Sequence, residues 1–407
     1  MRIASLRPCP AAEPIRPVVR PTYAQIDLEA VAANFRAVRS LLGGDAAPEI
    51  IAVVKANGYG HGAVQVARAL EAAGAPMLAC ADIEEGVELR QGGVRVPVLV
   101  FGALSVSDLD GVFSYQLTPT VSSPFAARAL REAATRRQTR VGCHLKIDTG
   151  MNRLGFRHDN LGETLRDVLK APGLAVEAVY THFATAEDTD HPLFEQQQRR
   201  FEAAVRAASS LGASPRMIHA ANSAALLRDR ATWYDAVRPG LLLYGALPGA
   251  LGRDVGLRPA MTLRSRIVAV KGMRVGETAG YGGRCPVDRP TTIAVVPAGY
   301  ADGLDVRLAG RGEVLIRGRR VPIVGSVCMD SITIDVTGLD VSPGDEVILL
   351  GHDDRQRIDA GEVAETIGTV PHEVLCRIGT RIERSYGGKQ AVSGRPADVE
   401  PAAGETG

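Results

Sequence analysis

Lysine is the scarcest informative residue in this chain. Of 47 basic residues only Lys55, Lys146, Lys170, Lys271 and Lys389 are lysines, and the remainder are arginines. Aromatic residues make up 4%, and a single Trp is present. No apolar run approaches the ~20 residues that span a bilayer, which excludes a membrane helix. The six cysteines are dispersed with no C-x-x-C pair. That argues against a disulfide framework and for small buried hydrophobes in a reducing compartment. A net charge of +1 gives no electrostatic footprint for nucleic acid or an anionic membrane surface. The eight histidines show no H-E-x-x-H or similar spacing, so a catalytic metal is not expected. Gly58, Gly60 and Gly62 do not form G-x-G-x-x-G, which rules out a dinucleotide fingerprint. Residues 1–20, rich in Pro and Arg, have no apolar core and read as a disordered leader rather than a secretory signal. Together these features predict a cytoplasmic protein.

What is present is an alternation. Apolar runs at 49–55, 77–81, 96–101, 116–120, 141–148, 174–182, 216–220 and 236–244 read as strands. Helical periodicity fills 28–42, 61–73, 83–91, 124–136, 160–169, 193–211 and 223–229. Eight continuous apolar strands separated by helices predict an α/β fold, a (β/α)8 TIM-like barrel over 21–260. After residue 260 the pattern shifts to short strands near 267–270, 291–296, 313–316, 321–324, 331–336 and 345–350, with one helix near 360–367. This predicts a C-terminal β-rich domain over 261–387, with residues 388–407 a disordered tail.

Lys55 ends the run Ile50-Ile51-Ala52-Val53-Val54 and opens the flexible stretch Ala56-Asn57-Gly58-Tyr59-Gly60-His61-Gly62. A strand-end lysine of this kind either caps a turn or serves as an amine nucleophile. Partly withdrawn from water, an amine loses its proton readily and condenses with a carbonyl, as in pyridoxal 5'-phosphate (PLP) enzymes. Barrel enzymes place functional residues where strands end. Lys146-Ile147-Asp148-Thr149-Gly150-Met151-Asn152-Arg153, Thr181-His182-Phe183, His219-Ala220-Ala221-Asn222-Ser223 and Val237-Arg238-Pro239-Gly240 fall at such ends. Read singly, Arg153 is a surface cation, His182 a core imidazole, Ser223 an N-cap and Pro239-Gly240 a turn. Asn222 and Ser223 also open an apolar helix, and the loop at Gly240-Leu241 allows close backbone approach, an arrangement suited to a phosphate.

These segments, with Gly280-Tyr281-Gly282, Gly299-Tyr300-Ala301-Asp302-Gly303 and Cys328-Met329-Asp330, make the chain closely resemble the bacterial alanine racemases over residues 20–386. The resemblance implies a homodimer with active sites shared between subunits, acting on alanine and supplying D-alanine for peptidoglycan. Lys55 would carry PLP and act as base on one face, with Tyr281 from the other subunit as base on the opposite face. His182 would link Tyr281 to Arg238, and Arg238 would face the pyridine nitrogen. Tyr59, Asn222, Ser223, Gly240 and Leu241 match the phosphate cradle. Arg153 matches the residue near the PLP phenolic oxygen and substrate carboxylate. Lys146 matches a position carbamylated in some relatives. Tyr300, Met329 and Asp330 match residues that reach the neighbouring subunit's pocket. One departure concerns the family's Asn-Tyr-Glu segment, where this chain has Pro371-His372-Glu373. His372 thus replaces a tyrosine that contacts the phosphate, which leaves a broader or serine racemase of the same fold as the alternative. A non-catalytic PLP-binding protein is the distant one, since such proteins resemble the barrel alone.

Overall fold

The computed structural model describes residues 20–44, 47–104, 109–249, 255–283 and 286–387. The expected tail and residues 1–19 of the expected leader lie outside the described residues. Arg20 belongs to the folded body, because its guanidinium grips both carboxylate oxygens of the buried Asp302 at 2.5 and 2.8 Å.

Eight parallel strands close into a barrel: Glu49–Val53, Met77–Cys80, Val98–Val100, Thr118–Val121, Val141–Asp148, Leu174–Tyr180, Met217–Asn222 and Ala236–Arg238. The last pairs with the first through Ala236↔Glu49 and Val237↔Ile50, which completes the ring. All residues of Met77–Cys80 and Val98–Val100 are buried, as strands covered on both faces require. Local signals set the surrounding helices. In Leu28–Leu42, the Asp27 carboxylate accepts from the Ala30 amide and a left-handed Gly43 ends the helix. In Pro124–Arg136, Ser123 caps and Pro124 takes the first turn.

Several element expectations change. The strand expected at 49–55 stops at Val53, and Lys55 opens a single turn, Lys55–Tyr59. The strand expected at 236–244 stops at Arg238, because Pro239 has no amide for the ladder, and Leu241–Tyr244 is a short 3-10 turn. The helix expected over 160–169 is two pieces, Leu161–Thr164 and Arg166–Leu169. Tyr23–Ile26, which the expected boundary at residue 21 assigned to the barrel, joins the second sheet. It pairs antiparallel with Met261–Arg266 and parallel with Glu383–Tyr386, burying Ala24 and Ile26 on one face.

The remaining strands of that sheet, from Ala269–Met273 to Glu346–His352, are antiparallel to their neighbours. Two helices follow where one was expected, Ala360–Ile367 and Pro371–Cys376. The second packs against the Lys55 turn. A Cβ at Gly60 (φ +81°) would come within 2.4 Å of the Leu375 carbonyl, so only glycine fits there. Among the described residues, no helix is long and apolar enough to cross a membrane.

Candidate active site

The chain arrives at Lys55 in an unusual conformation. Ala56, Asn57, Gly58 and Tyr59 have φ of +52°, +53°, +60° and +52°, a run of left-handed residues. For a residue with a Cβ this costs about 1–2 kcal/mol, so the turn persists only where its surroundings hold it. Asn57 helps from one side, its Oδ1 accepting from the Ala63 amide at 2.9 Å and its carbonyl from Gly62 at 2.8 Å. Glu85 helps from the other, with Oε1 accepting from Ala56 and Oε2 from Ala81, each at 2.7 Å.

The turn delivers Lys55 to a cavity of about 280 Å³ at the strand ends. Lys55, Tyr59, Lys146, Arg153, His182, Asn222, Ser223, Arg238, Gly240, Leu241 and His372 all line it. The site residues expected on the barrel, and His372 from the second domain, therefore meet in one place. Tyr281, Tyr300, Met329 and Asp330 do not line it. They lie on the surface of the second domain, Tyr281 79% exposed, with Met329 and Tyr300 about half exposed. Asp330 pairs there with Arg381 at 2.7 Å.

Charge is strongly one-sided. Four basic residues line the cavity and Glu187 is its single acid, so the field favours an anionic ligand. Burial, then the nearby Arg153 guanidinium, lowers Lys55 from the ordinary amine range. Lys146 is buried 5.5 Å over the Tyr180 ring, and burial, helped by Arg238 and Arg153, lowers it to about 7. Arg238 is buried and lowered by burial to about 10, so it stays charged at neutral pH. Its Nη2 donates to the carbonyls of Thr181 at 2.7 Å and Ala220 at 2.8 Å, and reaches His182 Nδ1 at 3.3 Å. Its Nη1 donates to His219 Nδ1 at 2.8 Å. Burial drives His182 and His219 well below the usual imidazole range, and both are neutral.

At the other end of the cavity, hydroxyls and amides converge. Ser223 Oγ accepts from the Gly240 amide at 2.9 Å, leaving its own proton to donate into the cavity. A Cβ at Gly240 would fall 2.3 Å from the Tyr59 hydroxyl, so glycine brings backbone and phenol together. Asn222 caps the turn after its strand, accepting from Ala225 at 2.9 Å. Tyr59 stacks on Tyr244 at 4.8 Å, and the Tyr244 hydroxyl donates to Val53 at 3.0 Å. The His372 ring lies 5.8 Å from that of Tyr59, and burial, then Lys55, lowers its imidazole. The donors suit a phosphate, and the desolvated amine suits an aldehyde.

Sequence reasoning passed over Glu85, Tyr180, His219 and Tyr244. His219 lies at the end of an apolar strand and Tyr244 within an apolar run, so by sequence both read as core. Glu85 carried only the signal of a helix start, three residues after Asp82. No cluster of His, Cys, Asp and Glu suited to a metal occurs among the described residues.

A closed parallel barrel with a cationic cavity around a desolvated lysine defines a class of enzyme that handles small anionic molecules through an amine. Comparison with known proteins narrows it. Residues 26–248 match the family profile "Alanine racemase, N-terminal domain" and residues 260–386 its C-terminal counterpart. An alanine racemase of Carboxydothermus hydrogenoformans is 41% identical over 374 residues, covering 90% of this chain and all of that one. The crystal structure of alanine racemase from D-cycloserine-producing Streptomyces lavendulae has a TM-score of 0.88 at 35% identity, covering 92% of this chain and 98% of the other. An alanine racemase from Bartonella henselae with covalently bound pyridoxal phosphate has a TM-score of 0.80 at 28% identity, covering 90% and 99%. The chain belongs to the alanine racemase family. It is an isomerase that interconverts L- and D-alanine, in a family that depends on PLP.

Proposed function

We propose that the cavity binds PLP and that racemisation proceeds with one base on each side of the substrate, Lys55 from this chain and Tyr281 from a second copy. The observation that carries this reading is the desolvated Lys55 amine, set among hydroxyl, amide and guanidinium donors in one cavity. When bound, PLP supplies an electron sink for the charge left as the Cα proton departs. Lys55 holds the cofactor through Nζ and, once released, removes or returns that proton. Tyr59, Asn222, Ser223, Gly240, Leu241 and His372 hold the phosphate. Arg238 would meet the pyridine nitrogen as a donor that keeps its proton, because a guanidinium remains charged even here. Arg153 takes the substrate carboxylate, and Lys146, about half of it neutral at pH 7, adds through its neutral amine to carbon dioxide and releases a proton to water, giving a carbamate that orients Arg153.

The opposite face needs a base from outside the chain's own cavity. Tyr281, exposed on the second domain, is available to another copy, with Tyr300, Met329 and Asp330 completing that wall. His182, in contact with Arg238, links the second copy's Tyr281 to positive charge. The assembly is thus a homodimer acting in the cytoplasm and supplying D-alanine for peptidoglycan.

The test is incubation of L-alanine with the protein in deuterated buffer, following optical rotation and deuterium at Cα together. Deuterium should enter as D-alanine forms. Deuterium entering while the alanine stays L would reject the two-base reading, and no exchange at all would reject the whole.

A further inference from the structure

Glu85 is the third residue of helix Ile83–Gln91, and its amide donates to the Asp82 carboxylate at 2.9 Å. A glutamate there ordinarily folds back to the N-cap amide. Glu85 reaches past it. Its two oxygens bind the amides of Ala81 and Ala56, joining the end of strand Met77–Cys80 to the residue beside Lys55. Burial raises its carboxyl, opposed by the backbone donors of Ala81, Ala56 and Asn57. Two of those donors lie in the left-handed turn itself.

Charge adds a second role. The groups facing Lys55 are Arg153, Arg238, Lys146, His182, His372, the Cys376 thiol and Glu85. Among these Glu85 is the carboxylate. Every other fixed charge in the set repels a protonated amine.

We infer that Glu85 is a positioning residue for racemisation: its carboxylate ties the backbone beside Lys55 to the end of strand Met77–Cys80, holds the left-handed turn that aims Lys55, and supplies a negative charge beside it. This rests on the reading of Lys55 as the cofactor lysine. A capping glutamate with no such role would matter for stability alone.

Glu85→Gln is isosteric but offers one acceptor where two amides need one each, and it carries no charge. Two readouts separate positioning from stability. The first is cofactor loss from the full-length holoprotein during dialysis, followed by absorbance. The second is the titration of Lys55 in the cofactor-free full chain, with lysines labelled by 13C reductive methylation. Five lysines give a sparse spectrum, and Lys55→Arg assigns the signal. Glu85→Gln should lose cofactor about 10-fold faster, the effect of one charge-assisted hydrogen bond. Its Lys55 signal should titrate at lower pH than in the wild type, because an anion has been removed. If the glutamine variant fails to fold, Glu85→Asp, too short to span both amides, should show the same faster cofactor loss. Unchanged cofactor loss and an unchanged Lys55 titration would overturn the inference, even with a lowered melting temperature. A wild type whose cofactor borohydride does not fix to Lys55 would overturn the reading of Lys55, and this inference with it. An intact linkage with unaltered glutamine values would overturn the role of Glu85 alone.

Discussion

Arg238 donates Nη1–H to Nδ1 of His219 at 2.8 Å, and this one contact fixes the protonation of a buried chain. Arginine only donates, so His219 accepts at Nδ1 and carries its proton on Nε2. That proton points to His144 Nδ1 at 3.0 Å, which leaves the His144 proton on Nε2, where it has no partner among the described residues. The Tyr180 ring stacks on His219 at 4.7 Å with the two planes 11° apart, which limits rotation of the imidazole. Replacing His219 by leucine removes the acceptor from a buried guanidinium. The expected loss of stability is about 1–3 kcal/mol, read from urea unfolding. His219→Gln, which restores a carbonyl acceptor, should recover part of it. A leucine variant as stable as the wild type would show that Arg238 does not depend on this contact.

The buried histidines also set a pH window. His61 is lowered to about 4 and His144 to about 3, in both cases chiefly by burial, and burial also lowers His182 and His219 well below the ordinary imidazole range. The unfolded chain protonates these groups near their ordinary pKa of about 6.5, whereas the folded chain does not. Their contribution to stability is therefore fully present above about pH 6.5 and is lost as pH falls toward the folded values. Each one adds a slope of about 1.4 kcal/mol per pH unit within that window. The urea midpoint should drop steadily between pH 6.5 and 5, before most carboxylates titrate. A flat midpoint across that interval would contradict the neutral assignments.

The parts of this fold legible in the sequence are those determined by local signals. Leu28–Leu42 and Pro124–Arg136 were readable to the residue because Asp27, Gly43, Ser123 and Pro124 mark their ends. Tyr23–Ile26 was not, because four residues carry too little pattern and their partners come from Met261–Arg266 and Glu383–Tyr386. The turn after Lys55 was hidden for a different reason. Residue type does not encode positive φ at Ala56 or Tyr59; Glu85, from a helix 29 residues further along the chain, and the Asn57 side chain within the turn hold it. Most of the cavity was readable, since barrel sites form at strand ends, but His219 in a buried strand looks like packing. Tyr281 was legible only through the family resemblance, for an exposed tyrosine on a second domain announces nothing by itself.

Lys55 and Tyr281 can be separated by mixing subunits. Lys55→Ala should lose the yellow colour, the borohydride-fixed cofactor and essentially all activity. Tyr281→Phe should keep the colour and lose activity, because only the hydroxyl is gone. If each site takes Lys55 from one copy and Tyr281 from another, a mixed dimer of the two variants contains one site with both bases. Activity should therefore return when the inactive proteins are mixed under conditions that exchange subunits. Proven exchange with no rescue would place both bases in one chain, which the exposure of Tyr281 argues against.

His372 gives the sharpest expectation about substrate choice. It is the second residue of the helix Pro371–Cys376, lines the cavity that holds Lys55, and sits 5.8 Å from the Tyr59 ring. An imidazole is shorter than the phenol that the family resemblance leads one to expect here, so it would reach a phosphate less directly and would leave space beside a substrate's β-carbon. Burial and the neighbouring Lys55 keep it neutral, so it contributes one donor and no charge. Apolar pockets reject an added hydroxyl only weakly, by about 100-fold in comparable cases, and extra room weakens that rejection further. Serine racemisation should therefore be measurable beside the alanine activity, and PLP should leave faster than from a tyrosine-bearing site. His372→Tyr should lower the serine-to-alanine ratio of kcat/KM by up to about 10-fold, a change of roughly one contact's worth, and slow cofactor loss on dialysis. The two halves stand apart. An unchanged ratio would mean that His372 does not shape the substrate pocket, and an unchanged dissociation rate that it already serves the phosphate as well as a tyrosine does.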